Sequence, residues 1–66
     1  MSDRTDIERL DWLEKVADRI RFVRRWDRGF WQFAVVAPRT LPLYDESWRE
    51  SLRAAIDKAI DGGEFE

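Results

Sequence analysis

The spacing of apolar residues changes twice along this chain, and this change limits the possible folds more than any other feature of the sequence. Near both ends, apolar residues recur every three or four positions, which is the period of an amphipathic helix. Between the ends, apolar and polar residues alternate, which is the period of a strand. The sequence therefore predicts helix, strand, strand and helix at residues 5–19, 20–26, 30–37 and 46–61.

The first helix has a start signal but no clear end signal. Thr5 is followed three residues later by Glu8, which fits a capping box. No glycine marks the other end, so the helix is expected to continue to about Arg19. Its apolar stripe is predicted to consist of Ile7, Leu10, Leu13, Val16 and Ile20.

The middle of the chain is typical of a β-hairpin. Two β-rich runs flank Asp27-Arg28-Gly29, and a three-residue loop that ends in glycine is a common hairpin connection. Such a loop would pair Trp26 with Phe30. The same register would place Phe22 opposite Ala34 and Arg24 opposite Gln32.

The last third predicts a connector and a second helix. Residues 40–44 contain Pro42, so they form a connector or at most a short edge strand. Ser47 with Glu50 fits a second capping box, and Gly62-Gly63 fits a helix end. Residues 64–66 are expected to fray. The apolar stripe is predicted to consist of Trp48, Leu52, Ala55, Ile56 and Ala59.

These elements predict one small α+β domain of order α-β-β-α. An antiparallel hairpin, with a possible short third edge strand, is expected to pack against two amphipathic helices. The chain has 66 residues and nine aromatic residues, so either the core is unusually aromatic or some of the rings face a partner.

The composition narrows the functional classes. With no His and no Cys, the chain has no imidazole base, no thiolate nucleophile and no Cys/His zinc site. No glycine-rich phosphate loop is present. We therefore expect a protein that is not an enzyme, with no catalytic residues, metal or cofactor. The N-terminal residues lack a signal-peptide core, and the longest uncharged run, residues 29–38, is too short for a membrane span, so a cytoplasmic protein is expected.

The charge is distributed unevenly. Residues 1–18 carry a net charge of −3, residues 19–39 carry +5 and residues 40–66 carry −4. Rows of acids on the outer faces of the two helices could compete with DNA for a basic groove, because phosphates along a DNA strand have a similar spacing. They could equally be ordinary solvated faces with intrahelical ion pairs. The candidate partner-binding acids are Glu46, Glu50, Asp57 and Asp61 on the second helix, and Asp11, Glu14 and Asp18 on the first.

The basic hairpin supports an alternative interpretation. Arginines beside Trp26, Trp31 and Phe33 could hold phosphates while the rings stack on bases. The rings could instead form the core, with the arginines paired to acids of the helices. The acidic flanks and the net charge of −2 count against direct nucleic-acid binding. The candidate residues for it are Arg21, Arg24, Arg25, Arg28 and Trp31.

A resemblance adds to these observations. The segment Glu8-Arg9-Leu10-Asp11-Trp12-Leu13, with Leu52-Arg53-Ala54-Ala55-Ile56-Asp57 near the end, resembles small uncharacterised bacteriophage proteins. Those proteins share the patterns E-R-L-D-W-L and L-R-x-A-I-D on either side of a Trp-rich hairpin. Their helix cap aligns with Ser51, whereas the residues themselves indicate a start near Ser47.

The resemblance implies an inhibitor of host defence, because short acidic phage proteins often have that role. The best-known class is the anti-CRISPR proteins, and the expected partner is a subunit of a CRISPR effector, with type I favoured. The acidic helix faces would then block recognition of DNA in the bacterial host cell. An assembly module that dimerises through the second face of the sheet is a third possibility, so both a monomer and a homodimer are compatible with the sequence.

Overall fold

The structure is a computed structural model that describes residues 4–66. It contains helix α1 (Asp6–Val16), strands β1 (Arg21–Asp27) and β2 (Phe30–Val36), a short 3-10 turn (Asp45–Ser47) and helix α2 (Leu52–Gly62). The strands form one antiparallel hairpin, and α2 contacts both β2 and α1. The predicted α+β fold of order α-β-β-α is confirmed. Residues 1–3, where the N-terminal sequence shows no signal-peptide pattern, lie outside the described part.

Helix α1 begins as the sequence predicts and ends earlier. The Glu8 amide donates to Thr5 Oγ1 at 3.2 Å, and the Thr5 amide donates to Glu8 Oε1 at 3.3 Å, which completes the capping box. The helix stops at Val16, and the Arg19 amide donates to the Val16 carbonyl at 2.7 Å in a closing turn. Three residues of the predicted helix thus form the turn that leads into β1.

The predicted stripe of the first helix is confirmed at Val16, Leu13 and Ile20, which lie in or against the core, and is wrong at Ile7 and Leu10. Ile7 and Leu10 are 72% and 60% exposed, whereas Trp12 is 6% exposed and Val16 is fully buried. The helix is therefore rotated so that Trp12, which the sequence interpretation left outside the stripe, enters the core. The tryptophan ring offers more apolar area to bury than either of these aliphatic side chains alone.

The hairpin register differs from the prediction by one residue. Asp27 pairs with Phe30 and Trp26 pairs with Trp31, so the loop has two residues rather than three. Arg28 and Gly29 have φ angles of 54° and 94°, as the twist-matched type I′ turn requires. Because side chains alternate in a strand, the shift exchanges which residues of β1 and β2 share a face.

The third strand is reduced to one bridge, and it lies outside the predicted connector. Phe33 and Arg49 exchange two backbone hydrogen bonds of 2.8 Å, whereas residues 40–44 form no strand. Trp48 is consequently extended, with φ −90° and ψ 141°. This pairing prevents a helix from starting at Ser47.

Helix α2 starts at Leu52, so the predicted start at residue 46 is wrong. Ser51 is the N-cap, and its hydroxyl accepts from the Ala54 amide at 3.1 Å. At the other end Gly63 has φ 64°, and its amide donates to the Ala59 and Ile60 carbonyls at 3.2 Å, which confirms the predicted glycine end.

Two serine substitutions test this start. Ser51→Ala should lower the free energy of unfolding by about 1 kcal/mol, because it removes an N-cap acceptor. Ser47→Ala should change it by less than about 0.5 kcal/mol, because the Ser47 side chain caps no helix. Urea denaturation followed by circular dichroism measures both. Equal effects, or a larger effect at Ser47, would contradict the observed start.

The core is small and lies between the helices and the base of the hairpin. Trp12, Val16, Ile56 and Ala59 form its buried cluster, and Val35 of β2 packs against it. Phe65 also packs there, edge-on to Trp12 with 6.4 Å between ring centroids, so the expectation of a frayed tail is wrong. Most of the other aromatic rings remain outside. The exposed large apolar residues are Ile7, Leu10, Phe22, Trp26, Phe30, Trp31, Leu41, Leu43, Tyr44 and Leu52.

Candidate functional site

The acidic row predicted for the second helix does not form on one helix. Glu46 lies in the 3-10 turn and Glu50 lies in the bend before the Ser51 cap. Asp57 and Asp61 alone belong to α2. The predicted band of four carboxylates is therefore divided between a loop and a helix.

The two acids that do lie on α2 are bound to arginines of the same chain. Asp57 accepts from Arg9 Nε and Nη2 at 2.9 Å each and from Arg4 Nη1 at 2.8 Å. Asp61 accepts from Arg4 Nη2 at 2.8 Å. The Asp57 side chain is only 19% exposed. These contacts hold the pKa of Asp57 below its ordinary value, chiefly through Arg9 and then through Arg4.

A third acid joins this ion-pair cluster from α1. Asp6 accepts from Arg53 Nε at 2.8 Å and from Arg9 Nη1 at 2.8 Å. The hydrogen bonds from Arg53 and then Arg9 lower its pKa to about 2. The pKa of Arg9 is raised chiefly by its hydrogen bonds to Asp57 and then by the one to Asp6, and the pKa of Arg53 is raised by its hydrogen bonds to Asp6. Asp6, Asp57, Arg9 and Arg53 therefore connect α1 to α2, and their charges are largely balanced within the fold.

The acids predicted on the first helix are more accessible. Asp11 and Glu14 are exposed on α1, and within residues 4–66 neither carboxylate makes a hydrogen bond or ion pair. Asp18 lies beyond the end of the helix, 3.9 Å from Arg19 Nε. The intrahelical pairs that the sequence allowed are replaced by other contacts. Lys15 pairs with Glu66 at 3.8 Å, Arg53 pairs with Asp6, and Arg49 donates to the Glu46 carbonyl.

The hairpin carries an exposed aromatic surface along one side of its sheet. Trp26 and Trp31 are direct partners across the strands, with centroids 5.4 Å apart and planes at 76°. The Arg24 guanidinium lies 4.4 Å from the centroid of the Trp31 ring. Trp26 is 61% exposed, Phe22 46% and Trp31 43%. We call Phe22, Arg24, Trp26 and Trp31 the aromatic face.

The aromatic face follows from the register. Residues that pair directly in an antiparallel hairpin point to the same side of the sheet, and so do residues two apart. Val35 lies on this same side and contacts the core at the base of the hairpin. The rings of Phe22, Trp26 and Trp31 on this side remain in solvent.

The opposite side of the sheet holds Arg25 in place. Its Nε donates to Gln32 Oε1 at 2.8 Å, its guanidinium lies 4.5 Å from the centroid of Trp48, and its Nη2 lies 3.4 Å from Asp45 Oδ1. Arg25 thus fixes the residues around the 3-10 turn onto the hairpin. This arginine is occupied by structural contacts and is not part of the aromatic face.

The five residues predicted for nucleic-acid binding lie on different sides of the hairpin. Arg24 and Trp31 lie on the aromatic face, and Arg28 is exposed in the adjacent turn. Arg21 and Arg25 lie on the other side, where Arg21 donates to the Thr40 carbonyl. Sequence reasoning missed Phe22 as a member of the site. The signal for it was the two-residue turn at Arg28-Gly29, from which the correct register follows.

Further findings bear on other kinds of site. Within residues 4–66, no group of three or more acidic, His or Cys side chains is placed to hold a metal ion. Neither helix in this range is long and apolar enough to cross a membrane. Comparison with known proteins finds no matching family model, no similar curated protein and no similar solved structure.

Proposed function

We propose that this protein binds single-stranded nucleic acid through the aromatic face. The observation that carries the proposal is the exposed pair of Trp26 and Trp31 with Arg24 stacked beside it. Exposed rings beside cations are the components of surfaces that stack unpaired bases and hold their phosphates. A single strand fits better than a duplex, because only unpaired bases offer a free face to a ring.

The distribution of charge supports this choice over the acidic-face mechanism. The flanking acids argue against a nucleic-acid binder when charge is only counted along the sequence. In the fold, Asp6 and Asp57 are balanced by Arg9 and other arginines. Arg24 of β1 and Arg28 of the turn are both exposed, so their guanidinium groups can contact phosphates.

Replacing Trp26 by alanine should weaken binding of a fluorescently labelled single-stranded 12-mer by about tenfold to a hundredfold. Stacking on one base contributes about 1–3 kcal/mol, and Trp26 is the most exposed ring of the aromatic face. Fluorescence anisotropy with DNA and RNA strands measures the change. Tyr44→Ala is the matched control, because Tyr44 is equally exposed, at 66%, but lies in the connector.

Salt dependence gives a second test of the same proposal. With Arg24 and Arg28 on phosphates, the logarithm of the binding constant should fall with the logarithm of salt concentration with a slope between about −1 and −2. Arg24→Ala should reduce that slope, and Arg39→Ala should not. Absence of measurable binding to any strand in low salt, or equal losses for Trp26→Ala and Tyr44→Ala, would refute the proposal.

A second candidate function is inhibition of a host-defence complex, with no catalytic activity of the protein's own. One observation favours it: Asp11 and Glu14 project from α1 without an ion pair among residues 4–66. They are free to meet a basic groove, whereas Asp57 and Asp61 are engaged. The setting would be the cytoplasm of a bacterial host, and the target a subunit of a CRISPR effector.

A plaque assay tests the inhibitor hypothesis. Host cells with a CRISPR system that targets the phage would express the wild-type protein, the variant Asp11→Lys/Glu14→Lys, or an empty vector. Restored plaques with the wild type and not with the variant would support inhibition through α1. No rescue in either type I or type II hosts would refute it.

A further inference from the structure

The outer edge of β1 is an unpaired strand edge. In the described part of the chain, residues 4–66, the sheet has two strands, and β1 pairs with β2 on one side. Phe33 uses its amide and carbonyl to pair with Arg49 on the far side of β2, so its partner Arg24 directs its own amide and carbonyl away from β2. The amides and carbonyls of Phe22 and Trp26, two residues on either side of Arg24, also point away from β2.

These backbone groups have no partner within the described chain. In residues 4–66, no strand or side chain hydrogen-bonds to the outward amides and carbonyls of Phe22, Arg24 and Trp26. An edge of seven residues that is open in this way is a template for another strand. Proteins usually shorten, cover, bulge or charge such an edge. β1 is neither short nor bulged, and the charges that it carries are those of Arg21, Arg24, Arg25 and Asp27.

We propose that two copies of this chain pair antiparallel along the outer edge of β1, with Arg24 on the two-fold axis. This register uses all three outward-facing residues, so six backbone hydrogen bonds would form between the copies, two for each pair. The two hairpins would join into one four-stranded antiparallel sheet. The proposal stands independently of nucleic-acid binding.

The side chains of β1 are self-complementary in this register. Phe22 lies opposite the partner's Trp26, and Arg21 lies opposite the partner's Asp27, each combination occurring twice by symmetry. Aromatic pairs and opposite charges directly across two strands are stabilising combinations. Both members of the charged pair lie on the side of the sheet away from the aromatic face.

One like-charge contact opposes this pairing, and the fold already weakens it. Arg24 meets the partner's Arg24 at the axis. Its guanidinium, however, lies over Trp31 of β2, 4.4 Å from the ring centroid, and is thereby drawn away from the outer edge. The two charges are thus separated by more than the spacing of adjacent strands, about 4.8 Å.

The dimer would also extend the aromatic face. Directly paired residues share one side of a sheet, so Trp26 and Trp31 of one copy continue into Phe22 of the other. Two stacking platforms with two Arg24 side chains would then lie on one continuous surface. A longer strand of nucleic acid would contact both copies, and this consequence alone rests on the proposed function.

Charge exchange between Arg21 and Asp27 provides the test. Arg21→Asp places two acids opposite one another, and Asp27→Arg places two bases opposite one another, so each variant alone should dimerise about tenfold or more weakly than the wild type. An equal mixture of the two variants should recover dimers, because each mixed pair again combines Asp with Arg. Sedimentation velocity over protein concentrations from about 10 μM to 1 mM measures the mass against 8.0 kDa for one chain.

Arg39→Asp is the matched control, because it makes the same change of charge at an exposed residue outside β1. It should dimerise as the wild type does, and circular dichroism should show all variants folded. A monomeric wild type throughout this concentration range would overturn the proposal. Dimers that persist equally in both single variants would overturn it as well, since the contact would then lie elsewhere. Trp26→Ala binding assays on dilute monomer report on nucleic-acid binding separately.

Discussion

Replacing Trp12 by alanine should lower the free energy of unfolding by about 3–5 kcal/mol and leave a folded state of only about 0–2 kcal/mol at room temperature. Trp12 is 6% exposed and is the largest side chain of the buried cluster. A domain of 66 residues has a stability at the low end of the usual range, about 5 kcal/mol. The cavity left by the indole would therefore remove most of the stability.

Trp12→Phe should be much milder, with a loss of about 1–2 kcal/mol. Within residues 4–66, the buried indole Nε1 of Trp12 has no hydrogen-bond partner. The substitution therefore reduces ring volume, loses no hydrogen bond to these residues and removes a buried unsatisfied donor. The edge contact with Phe65 can persist with the smaller ring.

Urea denaturation followed by circular dichroism compares these variants with Trp26→Ala. That control removes the same side chain from a position that is 61% exposed and should cost less than about 1 kcal/mol. Similar midpoints for Trp12→Ala and Trp26→Ala would show that the core does not depend on Trp12. A Trp12→Phe variant as unstable as Trp12→Ala would show that the indole nitrogen matters after all.

Local sequence signals predict a structural element correctly where no distant segment of the chain pairs with the same residues. The Thr5 capping box, the hairpin and the glycine end at Gly63 are all determined by residues close together in sequence. The start of α2 is different. Ser47 with Glu50 is a valid local cap signal, but no helix starts there because Arg49 pairs with Phe33 instead. Only the tertiary fold brings these two residues together.

The first part of the α1 stripe and the hairpin register were predicted wrongly for related reasons. Period alone assigns a helix stripe by counting apolar residues. It correctly includes Leu13 and Val16, but it cannot tell that Trp12 is buried while Ile7 and Leu10 stay exposed. In the hairpin, loops of two and three residues both fit the sequence around Gly29. A change of one residue in the loop transfers every side chain of one strand to another set of neighbours.

Part of the candidate site could be predicted from the sequence. Arg24, Arg28 and Trp31 were named from composition alone, because arginine and tryptophan concentrate in the hairpin. Which acids are free could not be predicted in this way. The sequence allows each carboxylate several partners, and only the packing of α1 on α2 brings Arg9 to Asp57, which is 48 residues away.

Replacing Asp57 by alanine should lower the free energy of unfolding by about 2–3 kcal/mol. Asp57 accepts three charged hydrogen bonds, and the substitution would leave the Arg9 guanidinium, whose side chain is 13% exposed, without its bidentate partner. Arg9 would keep its contact with Asp6, but its largely buried Nε and Nη2 groups would lose their acceptors, which is costly. Asp61→Ala is the control, since Asp61 is 63% exposed and makes one contact, so its loss should stay below about 1 kcal/mol.

The pH dependence of stability tests whether loss of the Arg9–Asp57 ion pair causes the destabilisation by Asp57→Ala. The folded-state pKa of Asp57 lies below its ordinary value of 3.8, and that of Asp6 is about 2. The folded chain therefore binds protons less readily than the unfolded chain, and the stabilisation is complete above about pH 4 and is lost as the pH falls toward 2. Asp57→Ala should lose less stability than Asp61→Ala over this interval, because its share of the effect is already absent. Urea midpoints measured between pH 6 and pH 2 test this, and parallel curves for the two variants would place the acid sensitivity outside the Arg9–Asp57 pair.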